Sequence, residues 1–385
     1  MKPARRCDNI TPFIVMDVLE KIHQMEAAGI DVIHMEIGEP DFDVPECVNQ
    51  AARAALDCHA TSYTHSLGDI RLREAIAKYH KDTYGTTVDP GQILVTSGTS
   101  PAMLLLFSVL VNPGDEIIIS DPHYACYANF IHYVQGVPVT VPVFEEQGFV
   151  FTPDAIAAKI TPKTKAIFIN SPSNPTGNVI PKDRMQQIVA IAKKHNLCII
   201  SDEIYHGLVY EGQEHSILEF TSNAFVLNGF SKLFAMTGLR LGYLIAPPAF
   251  VRALQVLQQN FFICANSVVQ LAGVAALKDA HRETQHMREV YNKRRLYMLD
   301  RLADMGLGIA VPPTGAFYLF ANVKHISTDS YALAFDILEK AHIGVTPGID
   351  FGANGEGYLR FSYANSLENL TRGMDRMAAY LQKKL

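Results

Sequence analysis

Apolar positions along this chain fall into two alternating rhythms. Stretches 16–28, 47–56, 70–84, 102–110, 128–135, 152–160 and 181–195 repeat at helical spacing, and Gly29 stops the first of them. Short apolar runs of strand length lie at 92–96, 116–120, 137–143, 165–169, 197–201 and 224–227, and 32–37 reads as extended. Strand and helix alternate from 92 to 243. That order predicts an α/β fold: a doubly wound, mostly parallel sheet with right-handed crossovers. Beyond it, 287–305, 331–340 and 367–384 read as helices, and 315–320 and 357–362 as strands. The greasiest stretch, 261–277, contains Asn266, Ser267 and Gln270, which makes it a buried core helix rather than a membrane span.

A parallel sheet gathers its strand ends at one edge, where α/β proteins bind ligands. Residues with chemistry recur at those ends. After the run 92–96 comes Ser97-Gly98-Thr99-Ser100-Pro101. Ser100 suits an N-cap and Pro101 the first helical turn. Free amides and the helix dipole would make this loop an anion site. It also reads as a plain capped connection, being neither a P-loop nor a dinucleotide fingerprint. Tyr124 opens a strand-to-helix loop, a place for a ring that stacks on a planar ligand. Asn170-Ser171-Pro172-Ser173-Asn174-Pro175-Thr176-Gly177 is a rigid turn at another strand end. Asp202-Glu203-Ile204-Tyr205 puts two carboxylates and a phenol at a third, although Asp202 could simply cap the next helix.

The stretch Asn228-Gly229-Phe230-Ser231-Lys232, with Arg240 shortly after, carries the most information. A lysine at the end of a buried strand is costly as a cation, so its pKa should fall, as a Schiff-base lysine requires. Taken alone, Lys232 reads as a surface lysine. Its company changes that reading. One sheet edge would hold an anion cradle, a stacking ring, a carboxylate, a phenol, a lysine and an arginine. The set fits a phosphorylated aromatic aldehyde with a ring nitrogen, held as an imine: pyridoxal phosphate.

Composition narrows the partners. The chain has 385 residues and a formal net charge of −6, which gives no reason to expect nucleic acid or an anionic membrane. Six cysteines form no CxxC pair, which reads as reduced thiols in the cytoplasm, with no disulfide frame and no metal site. Lys2, Arg5 and Arg6 precede an apolar run broken by Thr11, Pro12 and Asp17, a poor signal peptide.

From Gly38-Glu39-Pro40 to the Arg360 region, the chain resembles the class I/II aminotransferases of the aspartate aminotransferase fold. Asn174-Pro175-Thr176-Gly177, Asp202-Glu203-x-Tyr205, and Ser231-Lys232 followed by Thr237-Gly238-x-Arg240-x-Gly242 carry the resemblance by order and spacing. The resemblance implies that Lys232 binds the cofactor and shuttles the proton, while Asp202 pairs with the ring nitrogen. It implies that Tyr205 donates to the cofactor's phenolate oxygen and Tyr124 stacks on the ring. Gly98, Thr99, Ser100, Ser231 and Arg240 would hold the phosphate, and Asn174 would touch both cofactor and substrate. Arg360 would clamp the substrate carboxylate as a bidentate fork, helped by the Gly38 backbone. Tyr63 would reach the phosphate of a neighbouring subunit, which implies a homodimer with shared sites.

The same resemblance implies a large cofactor-binding domain over 46–285 and a smaller α+β domain built from both chain ends, 1–45 and 286–385. Some aspartate-specific relatives carry a lysine where this chain has Ser100, and Ile14 and Val15 are apolar. The expected donor is therefore neutral or hydrophobic, with 2-oxoglutarate or pyruvate as acceptor; aspartate is not excluded. Three rivals stand beside transamination. One is a C–S β-lyase on the same fold. Another is a cofactor-binding regulator, against which stands the lack of a helix-turn-helix before Ile10. The third is a nucleotide-binding α/β protein, which leaves Lys232, Asp202 and Arg360 without work.

Overall fold

Seven apolar runs of the middle of the chain pair into one sheet. In the computed structural model, which describes residues 4–384, these are β1 (Ile93–Thr96), β2 (Glu116–Asp121), β3 (Val137–Pro142), β4 (Thr164–Asn170), β5 (Cys198–Asp202), β6 (Ala224–Gly229) and β7 (Gly242–Ile245). Their spatial order is β1-β7-β6-β5-β4-β2-β3. Neighbours from β3 to β6 run parallel, and β7 runs antiparallel to both β6 and β1.

The strand period decides which residue meets which layer. Ile167 and Ile169 of β4 face one side, with Ile199 and Val226. There they meet Leu72, Ile76, Ile188 and Val269 from the helices Ile70–Tyr84, Lys182–Lys194 and Ser267–Asp279. Ala166 and Phe168 face the other side, with Ile200 and Leu227. There they meet Met103, Leu106, Ile131 and Leu254 from Thr99–Leu110, Cys126–Tyr133 and Pro248–Phe261. With helices on both faces, the sheet is doubly wound as the sequence pattern implies.

A second, antiparallel sheet joins β8 (Tyr318–Asn322), β9 (Thr346–Pro347) and β10 (Tyr358–Ser362) in the order β9-β10-β8. Its core contains the fully buried Tyr291, Phe317 and Tyr363 and is covered by His281–Asp304, Ser330–Ala341 and Leu367–Lys384. The start of the chain joins this sheet's side. In the helix Ile14–Ala27, Val18, Ile22 and Met25 pack on Val32 and Leu338, and Ile33–His34 pairs in parallel with Ile343–Gly344.

Several elements differ from the sequence pattern, each for a local reason. The helix after β1 begins at Thr99, so Ser100 is not its N-cap; Gly98 holds that place at φ +98°, a backbone region suited to glycine. The stretch 261–277 is two helices, not one: Pro248–Phe261 ends, and Asn266 starts the next by accepting from Val269 N at 3.1 Å. The helix expected over 152–160 is one short turn, Pro153–Ala157. The strand expected from 315 begins at Tyr318, because Ala316 sits at φ +55°. Only Ile33 and His34 of 32–37 are paired as strand. Lys2 lies outside the described residues. Among the described residues, no helix is long and apolar enough to cross a membrane, and no cluster of His, Cys, Asp or Glu is placed to hold a metal ion.

Leu227 lies fully buried in the middle of β6, shortly before the loop that carries Lys232. Leu227→Ala removes about 2–5 kcal/mol of stability, counting transfer and cavity together. Urea unfolding of wild type and variant measures it, and a change below about 1 kcal/mol would contradict this packing.

Candidate active site

The C-terminal ends of β4, β5 and β6 deliver Asn170, Asp202 and Gly229 side by side, and Lys232 follows β6 at once. They open on a cavity of about 390 Å³ between the two sheets. Of the residues singled out from sequence, Gly38, Thr99, Ser100, Tyr124, Asn174, Asp202, Tyr205, Ser231, Lys232, Arg240 and Arg360 all line it. Gly98 stands directly behind the lining, against Arg240. A larger groove of about 880 Å³ lies between the last two long helices, where Lys340 and Lys384 are tied to Asp336. It lies away from the strand ends.

Two ionisable groups are held off their ordinary pKa values here. Burial pulls the Lys232 ammonium down to about 8; Arg360 and Arg240 add to this, while Glu39 and Asp202 oppose it. Its Nζ donates to Gly38 O at 2.6 Å. Burial pushes the Asp202 carboxyl up to about 6, although the Tyr127 hydroxyl, the Ile204 amide and the Lys232 charge pull it down. Tyr127 donates to Oδ2 at 2.7 Å and Ile204 N to Oδ1 at 3.2 Å. No helix follows Asp202, where residues 204–207 form turns, so the helix-capping reading of this carboxylate fails; the Ile204 contact closes a local Asx-type turn. Tyr205 shares a 2.8 Å hydrogen bond with the Tyr318 hydroxyl.

The anion loop is shaped by backbone approach. A Cβ on Gly98 would lie 2.5 Å from Arg240 Nη2, and one on Gly242 would lie 2.7 Å from the Gly98 carbonyl carbon. Both positions therefore need glycine. Arg240 Nη1 donates to Thr237 O at 2.9 Å, and Thr237 Oγ1 donates to Glu39. The N-terminus of Thr99–Leu110, the Ser231 and Ser100 hydroxyls and an exposed guanidinium thus converge on one end of the cavity.

Arg360 enters from the second sheet and is 2% exposed. Nη1 donates to Asn174 Oδ1 at 2.9 Å, and Nη2 donates to Thr346 Oγ1 at 3.0 Å and to Glu36 O. Its guanidinium lies 4.5 Å from the Tyr318 ring and 5.0 Å from the Phe351 ring. The buried Nε has no hydrogen-bond partner among the described residues. An unsatisfied buried donor is costly, and an incoming carboxylate would satisfy it.

Sequence reasoning missed Tyr127 and Tyr318, quoted Glu39 and Thr237 within motifs without giving them a role, and missed the wall formed by Phe13, Met16, Leu19 and Ile37. Tyr318 had a signal, since strand alternation puts it on one face with Phe320. The others become site residues only through contacts distant in sequence. Ile14 is not part of the lining, whereas Val15 is. Tyr63 is 79% exposed and lines no part of its own chain's cavity.

The residues present fit pyridoxal phosphate. A buried carboxylate with neutral hydrogen-bond donors suits a protonated ring nitrogen. A lysine with a lowered pKa suits an imine, and the glycine-shaped loop suits a phosphate. Comparison with known proteins agrees. The family described as "Aminotransferase class I and II" matches residues 30–377. The (5-formylfuran-3-yl)methyl phosphate transaminase of Methanocaldococcus jannaschii is 40% identical, over 99% of this chain and 100% of its own. Aromatic-amino-acid aminotransferase 2 of Thermococcus litoralis is 38% identical, over 93% of this chain and 94% of its own. A solved double mutant of Thermus thermophilus aspartate aminotransferase superposes with a TM-score of 0.95 at 36% identity, covering 98% and 99% of the two chains. The fold and site define a pyridoxal-phosphate enzyme of fold type I. The chain belongs to the class I and II aminotransferases, and it is a transaminase.

With a pKa of about 8, the Lys232 amine is half neutral near pH 8 and mostly neutral above it. In the cofactor-free protein, the acetylation rate of Lys232 should therefore rise with a midpoint near 8. Peptide mass analysis reads it, and a midpoint near the ordinary 10.5 would contradict the burial argument.

Proposed function

We propose that this aminotransferase transfers the amino group of a neutral or hydrophobic L-amino acid (alanine, branched-chain or aromatic) to a 2-oxoacid such as 2-oxoglutarate or pyruvate. One observation carries the choice of donor. The described residues lining the cavity include three cations, Lys232, Arg240 and Arg360, and each already has a task. None is left for a distal carboxylate, and the wall of Phe13, Val15, Met16, Leu19 and Ile37 is apolar. A single pocket contact shifts selectivity by about 1–3 kcal/mol, so several apolar contacts together give a clear preference.

Pyridoxal phosphate, when bound, supplies the carbonyl that takes up the amino group and the electron sink for the electrons of the Cα–H bond. The protein's residues do the rest. Arg360 orients the donor through its carboxylate, with Asn174, Thr346 and the Glu36 carbonyl holding the guanidinium flat. Lys232 Nζ, with its pKa lowered to about 8, would be the base that takes up a donor's Cα proton. Asp202 would pair with the ring nitrogen and keep it protonated, and Tyr205 would donate to the phenolate oxygen. Gly98, Thr99, Ser100, Ser231 and Arg240 would hold the phosphate, and Tyr124 would stack on the ring. Two half-reactions share these groups, which gives ping-pong kinetics. A C–S β-lyase is not favoured, because the similar proteins from Methanocaldococcus and Thermococcus are both named for amino-group transfer.

We also propose a homodimer in which the partner subunit's Tyr63 completes the phosphate site. Tyr63 points away from its own cavity, and Phe261 and Ile263 expose 59% and 48% close to it, since Thr64 N donates to Cys264 Sγ at 3.4 Å. The division into 46–285, with 1–45 and 286–385, draws support from the separate cores of the two sheets. The helix His281–Asp304 spans the proposed boundary. A cytoplasmic location draws support from six free cysteines, of which Cys7 and Cys58 are exposed.

The purified enzyme, titrated with single amino acids under single-turnover conditions, should lose its cofactor absorption band fastest with an apolar donor, and a 2-oxoacid should restore it. Aspartate reacting as fast as the best apolar donor would refute the donor class. Pyruvate and ammonia released from cysteine-type substrates, with no band conversion, would instead indicate the lyase.

Arg360→Ala should lower kcat/KM for amino acids by about 100-fold or more, the loss of a charge-assisted fork of about 3 kcal/mol. Amines lacking the carboxylate should change little. Equal losses for both would remove the clamp role.

A further inference from the structure

The helix Ile14–Ala27 begins without a cap of its own. Phe13 occupies the N-cap position and makes no side-chain capping hydrogen bond. The first amides of a helix need acceptors, and here they come from the far end of the chain. Asp350 Oδ1 accepts from Ile14 N at 2.9 Å, and Oδ2 accepts from Val15 N at 3.2 Å. Asp350 is 8% exposed and lies in the turn Gly348–Phe351. Its charge meets the positive end of the helix dipole. It is thus a cap supplied across the fold.

A second anchor lies just upstream. Thr11 N and Oγ1 donate to Asn129 Oδ1 at 3.1 and 3.2 Å, and Asn129 Nδ2 donates back to Thr11 O at 3.1 Å. Asn129 belongs to the helix Cys126–Tyr133, beside the large sheet. Residues 11–15 therefore cross from one sheet's side to the other. Between the anchors, Phe13 packs edge-on against Tyr124 with centroids 5.8 Å apart. Phe13, Val15, Met16 and Leu19 form the apolar wall. On the other side of Asp350, the ring of Phe351 lies 5.0 Å from the Arg360 guanidinium.

We propose that Asp350 is a specificity-positioning residue: its carboxylate fixes the start of the helix Ile14–Ala27, and so sets the span between Arg360 and the apolar wall. This rests on the reading of the site as one for apolar donors. Asp350 touches no reacting atom. It acts through the helix on where a donor's side chain ends, so it governs the choice among donors of different size rather than proton transfer. The part of a donor beyond its β-carbon would be what meets the wall, so leucine or phenylalanine would sense the wall's position more than alanine.

The test compares the wild-type holoenzyme with Asp350→Ala and Asp350→Asn. Amide hydrogen exchange over residues 12–18 should speed up about tenfold in Asp350→Ala, the size of one lost cap. The leucine-to-alanine ratio of kcat/KM should fall about fivefold, mainly through KM for leucine, with the cofactor absorption band unchanged. Asp350→Asn keeps the volume and one acceptor oxygen and should fall between; it carries the test alone if the alanine variant does not fold. Unchanged exchange would overturn the cap. Faster exchange with an unchanged donor ratio would leave a merely structural cap and overturn the proposal. The wild-type donor panel separately tests the apolar-donor reading, so the two failures are distinguishable.

Discussion

Holding ionisable groups out of water, at the C-terminal edge of a parallel sheet, is the constraint on which the rest of this molecule depends. Asp202 and Lys232 follow adjacent parallel strands, and each is pushed toward its neutral form by burial. Neither would survive as an isolated charge in a core. The sheet makes the arrangement tolerable because strand ends carry backbone donors and open on a cavity. Asp202 receives the Ile204 amide and the Tyr127 hydroxyl, and Lys232 reaches the Gly38 carbonyl. The hydrogen-bonding capacity still left over is that which a cofactor with a cationic ring nitrogen and a carbonyl would satisfy. The apolar layers on both faces of the sheet keep these groups from relaxing away.

The same logic repeats one layer out, around Arg360. Its guanidinium lies against two aromatic rings and donates to the Glu36 carbonyl. Glu36 is itself fully buried. Its carboxylate takes the Met35 amide at 3.1 Å and faces His34 Nδ1 at 2.7 Å, while His34 Nε2 faces Glu26 at 3.0 Å. Hydrogen bonding to Glu36, with help from Glu26, holds His34 up at about 9, so it is a cation at neutral pH. The carbonyl that steadies Arg360 is therefore held by an ion pair with a buried member. Such a pair contributes little net stability but is costly to break, which suits a role in holding geometry.

The gathering of these strand-end residues around one cavity was legible in the sequence because each piece is built locally. Each strand end brings its own chemistry within a few residues: Gly98 and Thr99 after β1, Asp202 and Tyr205 at the end of β5, Ser231 and Lys232 after β6. Alternation of strand and helix was enough to put them on one edge. The misread elements failed where one residue's backbone overrode the apolar pattern. Ala316 at positive φ delays β8, and the break before Asn266 divides a stretch whose composition reads as continuous. Gly98 stands in the cap position instead of Ser100 because the chain enters the helix at φ +98°, a backbone region that suits glycine. Tyr127 carried no signal, and Glu39 stood in a recognised motif with no partner assigned to it. A tyrosine in an amphipathic helix and a glutamate in a turn acquire meaning only from partners 75 and 198 residues away, Asp202 and Thr237.

The substrate side is built the other way, and this has a consequence for specificity. Its walls come from Phe13 to Leu19, from Ile37 and from Met103, and its arginine, Arg360, the proposed carboxylate anchor, comes from β10. The wall and the anchor are tied together through Asp350, across more than three hundred residues of chain. No single turn or motif defines that surface, so it can change while the cofactor cradle stays intact. Relatives of nearly equal identity to this chain are named for a furan phosphate and for aromatic amino acids, and an aspartate enzyme superposes closely with it. That spread accords with the construction. Asp202 and Lys232 are fixed by the sheet edge, whereas the apolar wall proposed to choose the donor rests on side chains whose position depends on long-range contacts between the two sheets.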